Sequence, residues 1–291
     1  MRTRTGQVGA AVVTAFMAMS MAACGGDDAS DTDGGFTVGL LLPSGAIPRW
    51  EHSDKPLIEK RIKELCPRCA LRYANAENDA ARQRDQVTSM ITKGAKVLIL
   101  DAADTRAIRS SIQEAHRAGV PVVAYDRLAE GPISGYVSFN GAQVGRLQGA
   151  ALLKAMGRDA RGETVVMMNG DPASPNAAWY RDGALSVLKG KVKIGREYET
   201  QGWSTENAHA NMNAAIAALG PRRIDGVLAA NDAIAAGLPE GGDDAGGDRV
   251  VGREDSVDAP GAEGGDRGVH VGVGVLRAPP LGLVLPADLH L

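Results

Sequence analysis

In Val120-Pro121-Val122-Val123-Ala124-Tyr125-Asp126-Arg127 a short β-branched run gives way to a phenol, an acid and a base. Val122, Val123 and Ala124 have the pattern of a strand buried on both faces of a parallel sheet. Ligands of open α/β sheets bind beyond the carboxyl ends of the strands, which is where Asp126 and Arg127 fall. Two acceptor oxygens beside a planar fork of donors suit vicinal hydroxyls, which donate and accept at once. An Asp-Arg turn that merely caps the strand fits the same residues, and this stretch alone leaves both readings open.

On either side of it, strand and helix patterns alternate. Upstream, strands are expected at Phe36–Leu42, Leu71–Asn75 and Val97–Leu100. The helices between them run from Arg49-Trp50 to about Leu65, from an Asp79 cap to Gly94, and from Thr105 to Gly119. Downstream, a fifth strand at Tyr136–Phe139 is followed by a restart of the pattern. Helices are expected over Ala142–Met156, from about Asn176 to Leu188, from a Thr205 cap to Leu219, and from Asn231-Asp232 onward. The strands between them lie at Thr164–Met168, near Ile194–Tyr198 and at Gly226–Ala230. Such alternation is the mark of right-handed βαβ units around parallel sheets. Two successive sets with a break near Asn140 predict two similar lobes, 36–139 and 140–237, with a cleft between them.

The rest of the composition narrows the class. The 291 residues are long enough for two domains, and 44% apolar content supplies a core for each. Net charge is −3 with Lys and Arg scattered, so no basic face argues for nucleic acid. No Ser-His-Asp order, Gly-rich phosphate loop or metal-ligand spacing stands out, and the five His form no cluster. The expectation is a protein that is not an enzyme, with no cofactor and no metal.

The amino terminus reads as an address. Arg2 and Arg4 precede the apolar run Val8–Met19, which is too short for a membrane span. Met21-Ala22-Ala23-Cys24 then resembles a bacterial lipoprotein signal, making 1–23 the signal peptide and Cys24 the lipidated first residue. The acidic, Gly-rich residues 24–35 read as a flexible tether. Cys66 and Cys69 remain as an even pair in an oxidising compartment, and a small loop disulfide is the favoured reading. Zinc would need two further ligands, which the neighbouring sequence lacks.

Several short motifs stand in one order: Arg49-Trp50, Tyr125-Asp126-Arg127, Val137-Ser138-Phe139-Asn140, Asn176-Ala177, Gly202-Trp203 with Glu206-Asn207-Ala208, and Ala230-Asn231-Asp232-Ala233. With the export signal, they resemble the type I periplasmic sugar-binding proteins of ABC transporters, and within them the xylose-binding branch. The resemblance covers about Phe36–Gly237. It implies an α/β, two-lobed type I periplasmic-binding-protein fold, with parallel sheets flanked by helices. It also implies a monosaccharide ligand with D-xylose favoured, permease subunits as partners, and a lipid anchor on the extracytoplasmic face of the cell membrane.

By that resemblance Trp50 and Trp203 stack on the sugar ring, while Arg49, Asp126, Arg127, Asn176 and Asn231 meet its hydroxyls. Apolar sugar faces suit indoles, and the hydroxyl rim suits Asp, Asn and Arg. Trp179 is expected to pack. Asn140 stands where the family has aspartate, so a contact there would keep an acceptor and lose the charge. Asp232 either contacts sugar or caps its helix, with capping preferred.

After Gly237 the text changes. Leu238-Pro239-Glu240-Gly241-Gly242 interrupts a helix just begun, and Gly, Asp, Arg, Val and Pro dominate to Leu291. The composition resembles a GC-rich frame read in the wrong register. The family's later strands, helices, sugar contacts and hinge crossings have no counterpart there. Residues 238–291 are therefore expected to be a non-homologous, disordered tail, and the fold incomplete at its C-terminus. On that reading the second sheet is unfinished, the chain is prone to aggregate, and sugar binding is weak. The alternatives to a working receptor are a nonfunctional truncated remnant and a sugar-responsive regulator of the same fold; the regulator would need a DNA-reading helix pair where the export signal stands.

Overall fold

The computed structural model describes residues 34–45, 47–157 and 160–239, and three short strands beyond them at 250–251, 270–273 and 282–284. The signal peptide, Cys24 and most of the tether lie outside the described residues.

The first sheet is built from β1 (Thr37–Leu42), β2 (Ala70–Asn75), β3 (Ala95–Leu100), β4 (Val122–Tyr125) and β5 (Gly135–Ser138), in the order β5-β4-β3-β1-β2 and all parallel. Leu40, Leu41 and Leu42 are fully buried, as expected of a strand covered on both faces. Connecting these strands are a π-helical turn at Trp50–Asp54 running into α1 (Lys55–Leu65), then α2 (Ala80–Thr92) and α3 (Arg109–Arg117). Asp79 caps α2, accepting from the backbone N–H groups of Ala81 at 2.7 Å and Arg82 at 3.0 Å. The third helix starts later than its sequence suggests. Asp104 rather than Thr105 closes the preceding turn, accepting from Arg106 and Ala107 N–H, each at 2.8 Å.

The chain then crosses to a second sheet made of β6 (Thr164–Asn169), β7 (Lys193–Glu199) and β8 (Gly226–Ala229), with α4 (Gly141–Met156), α5 (Pro175–Leu188), α6 (Thr205–Leu219) and α7 (Asp232–Ala236) around it. Gly145 and Gly183 let α4 and α5 touch backbone to backbone. A Cβ at Gly145 would lie 2.0 Å from the Tyr180 carbonyl oxygen, and one at Gly183 would lie 2.3 Å from that of Ala142. Ser204, not Thr205, caps α6, its hydroxyl accepting from Asn207 N–H at 3.0 Å.

Three short strands are described beyond α7. β9 (Val250–Val251), β10 (His270–Val273) and β11 (Gly282–Val284) are strands, and β10 pairs in parallel with β8 and with β9. An unpaired β8 edge offers a row of backbone donors and acceptors, and a Val-Gly-Val segment suffices to occupy it. β11 pairs antiparallel with β5 of the first sheet. The rest of the proposed disordered tail lies outside the described residues. Among the described residues no helix follows α7.

Each sheet carries apolar clusters on both faces. In the first, Leu98, Leu100, Ile112 and Val122 form one cluster, and Leu40, Leu42 and Trp50 form the other. In the second, Val166, Met168 and Trp203 lie on one side and Leu152, Val165 and Leu188 on the other. The lobes touch through side chains that cross over: Trp179 of α5 packs on the first lobe's cluster, and Ile47 packs on the second's. A backbone hydrogen bond from Thr105 N–H to the Ala173 oxygen, 3.1 Å, adds to the seam.

Cys66 and Cys69 are joined by a disulfide with their Cα atoms 5.3 Å apart, closing the turn between α1 and β2. On the α1 side of the first sheet, an apolar trough of about 340 Å³ runs from Phe36 past Ile58 and Ile62 to Val97, Val123 and Val137.

Candidate functional site

The carboxyl ends of the strands converge on one cavity. Asp126 follows β4, Gly170 follows β6, and Ala230-Asn231 follows β8. The cavity holds about 220 Å³. That is below the ~300–1,000 Å³ typical of drug-sized pockets, and it suits a smaller molecule. Its walls include Arg49, Trp50, Asp126, Arg127, Asn176, Trp203, Asn231 and Asp232, together with Ile47, Pro48, Tyr180 and Ala233. Eight of the nine residues expected to meet a ligand are thus brought together.

The ninth, Asn140, is not among the lining residues. It is exposed, and its side-chain oxygen caps α4 by accepting from Gln143 N–H at 2.9 Å. Gln at the third helical position after Asn is a capping-box pattern, so the cap was open to sequence reading. At the start of α7 both residues line the cavity, and the cap preferred at Asp232 falls to Asn231. Asn231 supplies the cap, accepting from Ile234 N–H at 2.9 Å, and Asp232 lines the cavity as the first helical residue. With its oxygen so engaged, Asn231 has its amide N–H₂ left for a ligand.

Asp126 is held from every side. Arg49 Nη2 donates to one carboxylate oxygen, and Asn176 Nδ2 donates to the other at 2.9 Å, across the lobes. The Asp126 carbonyl accepts from Tyr136 Oη at 2.9 Å and from Ser138 Oγ at 2.7 Å. These bonds stabilise a left-handed backbone, φ 56°, that a residue with a Cβ adopts at a cost of about 1–3 kcal/mol. Burial works against the Arg49 charge, but the Asp126 and Asp54 carboxylates outweigh it and raise the guanidinium above its ordinary value. Burial also pushes the Tyr136 phenol up to about 12.

Both cavity tryptophans are rooted in a core and face the cavity as well. Trp50 is 2% exposed and Trp203 4%. Trp203 sits at φ 54° in a 3-10 turn, Gln201–Trp203, with its ring against Gly170, where a Cβ would lie 2.1 Å from the indole. Tyr180 meets it edge-on at 6.1 Å. The Arg127 guanidinium lies over both indoles, 4.8 Å from the Trp50 centroid and 5.9 Å from that of Trp203. Trp179, half-buried, packs against the first lobe and does not line the cavity.

Three buried polar atoms of lining residues find no partner in the protein: Trp50 Nε1, Trp203 Nε1 and Asn176 Oδ1. Buried polar groups are ordinarily satisfied, so two donors and an acceptor around one cavity mark a place built for a polar guest. Arg49 and Arg127 balance Asp126 and Asp232, so the lining carries no net charge to select an anion or a cation. Sequence reasoning missed Tyr180, Ile47 and Pro48, which are ordinary apolar residues until the fold places them. It also missed two residues behind the cavity, Gln83 and Asp101, both fully buried.

The periplasmic binding protein domain family matches residues 38–254. Similar proteins include the multiple sugar-binding periplasmic protein SbpA of Azospirillum brasilense, 33% identical over 218 residues, which cover 69% of this chain and 60% of that protein. The D-xylose-binding periplasmic protein of Escherichia coli (strain K12) is 31% identical over 206 residues, again 69% of this chain and 60% of that protein. Among solved structures, an ABC transporter solute-binding protein from Clostridium phytofermentans with bound β-D-glucose superposes with a TM-score of 0.63 at 29% identity, covering 69% of this chain and 67% of that one. The matched region thus spans about 60% of the length of these sugar-binding relatives. Two parallel sheets meeting at a cavity on their carboxyl edges, and a family match over most of the chain, lead to one conclusion: the chain belongs to the periplasmic binding protein domain family.

Proposed function

We propose that the chain is the sugar receptor of an ABC transporter, binding a monosaccharide between its lobes and handing it to a permease. The observation that carries this reading is the cavity's chemistry. Two indoles, unpartnered polar atoms and a lining without net charge fit a small neutral polyol. Apolar C–H faces would lie on the indoles while hydroxyls meet Arg127, Asn176, Asn231 and Asp232. D-xylose is the favoured sugar because Arg49-Trp50 and Gly202-Trp203 match the xylose-binding branch in sequence. The relatives' names and ligands, multiple sugars, xylose and glucose, support a monosaccharide of this kind. Export and lipidation at Cys24 would hold the receptor at the extracytoplasmic membrane face.

Titration calorimetry of the purified chain with D-xylose, D-glucose, D-ribose and xylitol tests the reading. Micromolar or tighter binding of an aldose supports it; no heat with any of them overturns it. Mass spectrometry of the membrane fraction tests the anchor, with acyl chains expected on Cys24. A second reading, a truncated remnant without activity, is favoured by the change of sequence character after Gly237, where Gly, Asp, Arg, Val and Pro come to dominate.

A further inference from the structure

Asp101 is 0% exposed, directly after β3, and no side chain donates a hydrogen bond to its carboxylate, which faces the Arg127 backbone N–H. A buried carboxylate without such bonds is costly, and it persists only where something else requires it. It forms an ion pair with Arg127, whose Nε lies 3.8 Å from Oδ1. The same guanidinium donates from Nη1 to the Ala102 oxygen at 3.2 Å. That segment is fixed from behind by Gln83 of α2, which donates to the Asp101 carbonyl and accepts from Ala103 N–H, each at 2.8 Å. One clamped turn therefore presents a carboxylate and a carbonyl to two edges of Arg127. A guanidinium has five N–H donors, so others remain for the cavity it lines.

We infer that Asp101 is a positioning residue for ligand recognition: a buried carboxylate that fixes Arg127 over Trp50 and Trp203, so that its charge state sets the affinity of the cavity. The affinity half rests on the sugar-binding reading; the effect on the indoles does not. The charged groups facing Asp101 are Asp126, Arg127 and Arg49, with the Tyr136 phenol nearby. Burial, and then Asp126, push the Asp101 carboxyl well above the ordinary range, against the pull of Arg127 and Arg49. With a raised folded value, the folded chain holds this proton more tightly than the unfolded one. Asp101 therefore weakens the fold progressively as pH rises from the ordinary carboxylate value to the raised one, and by a constant amount above it. A residue kept only for stability would act in the opposite direction.

The test follows tryptophan emission without sugar, and xylose affinity, from pH 4 to 8. In the wild-type chain both should show a step, with tighter binding on the high-pH side. Asp101→Asn should abolish the step and hold affinity about three- to thirtyfold below the wild-type high-pH value, the range for residues that touch no ligand. The same variant should have an equal or higher thermal midpoint at pH 7, and Asp101→Glu should retain a step. An emission step that persists in Asp101→Asn overturns the inference, as does the absence of any step in the wild type. A lower midpoint or failure to fold in Asp101→Asn would make Asp101 merely structural. If no sugar binds but the emission step is present and lost in Asp101→Asn, the positioning role stands and the sugar reading falls.

Discussion

Asp126 combines a left-handed backbone with a carboxylate bonded to Arg49 and Asn176, so its removal releases two partners at once. Asp126→Ala or Arg127→Ala should weaken sugar binding at least about tenfold, because a buried charge left without its partner costs several kcal/mol. Calorimetry would show it, and unchanged affinity in both variants would move the binding site elsewhere. Asn140→Ala should behave differently, lowering stability by about 1 kcal/mol through the lost cap while leaving affinity intact. Denaturant melts and titrations on the same variant separate the two effects. The acid and base at the end of β4 were legible because a strand end and two side-chain types suffice to place them. Asp101 and Gln83 were not. Gln83 acts on the chain 18 and 20 residues away, a relation that no local spacing encodes.

At the scale of elements, the contact between α4 and α5 depends on glycine at positions where backbone meets backbone. Gly145→Val should force these helices apart and cost about 1–3 kcal/mol or more, read as a lower denaturation midpoint. A midpoint within error of the wild type would mean that the helices part without penalty. Strand and helix order could be read from the sequence because the strands are short apolar runs and Asp79 sits at a cap. The cap was assigned one residue late where two capping residues adjoin, at Ser204-Thr205 and Asn231-Asp232, since either side chain can close the turn. The alternation over Val269–Val275, where β10 forms, reads as only a weak strand because of its glycines. Its partner is chosen by the open edge of β8 and not by its own sequence.

For the whole molecule, the apolar trough beside α1, together with Phe36 and Leu65 at 42% and 69% exposure, leaves hydrophobic surface on the first lobe. The native chain should therefore bind an anilinonaphthalene dye, and Ile62→Glu should reduce the fluorescence without lowering sugar affinity; no dye signal at any protein concentration would mean that the trough is covered. The cavity at the strand ends has a different consequence. Asn176 reaches Asp126 directly, protein to protein, and Trp179 and Ile47 tie the lobes around that bond. If a guest must part the lobes to enter, its arrival depends on how often this tie breaks. In stopped-flow mixing the observed rate should level off with rising sugar concentration, at a ceiling set by the protein alone. Asn176→Ala should lift that ceiling even as it weakens the final complex. A rate that climbs linearly in the wild type would mean that the cavity stands open. A ceiling, by contrast, would mean that the bond that builds the site also sets the rate at which a ligand enters it, making this chain a timekeeper as well as a container.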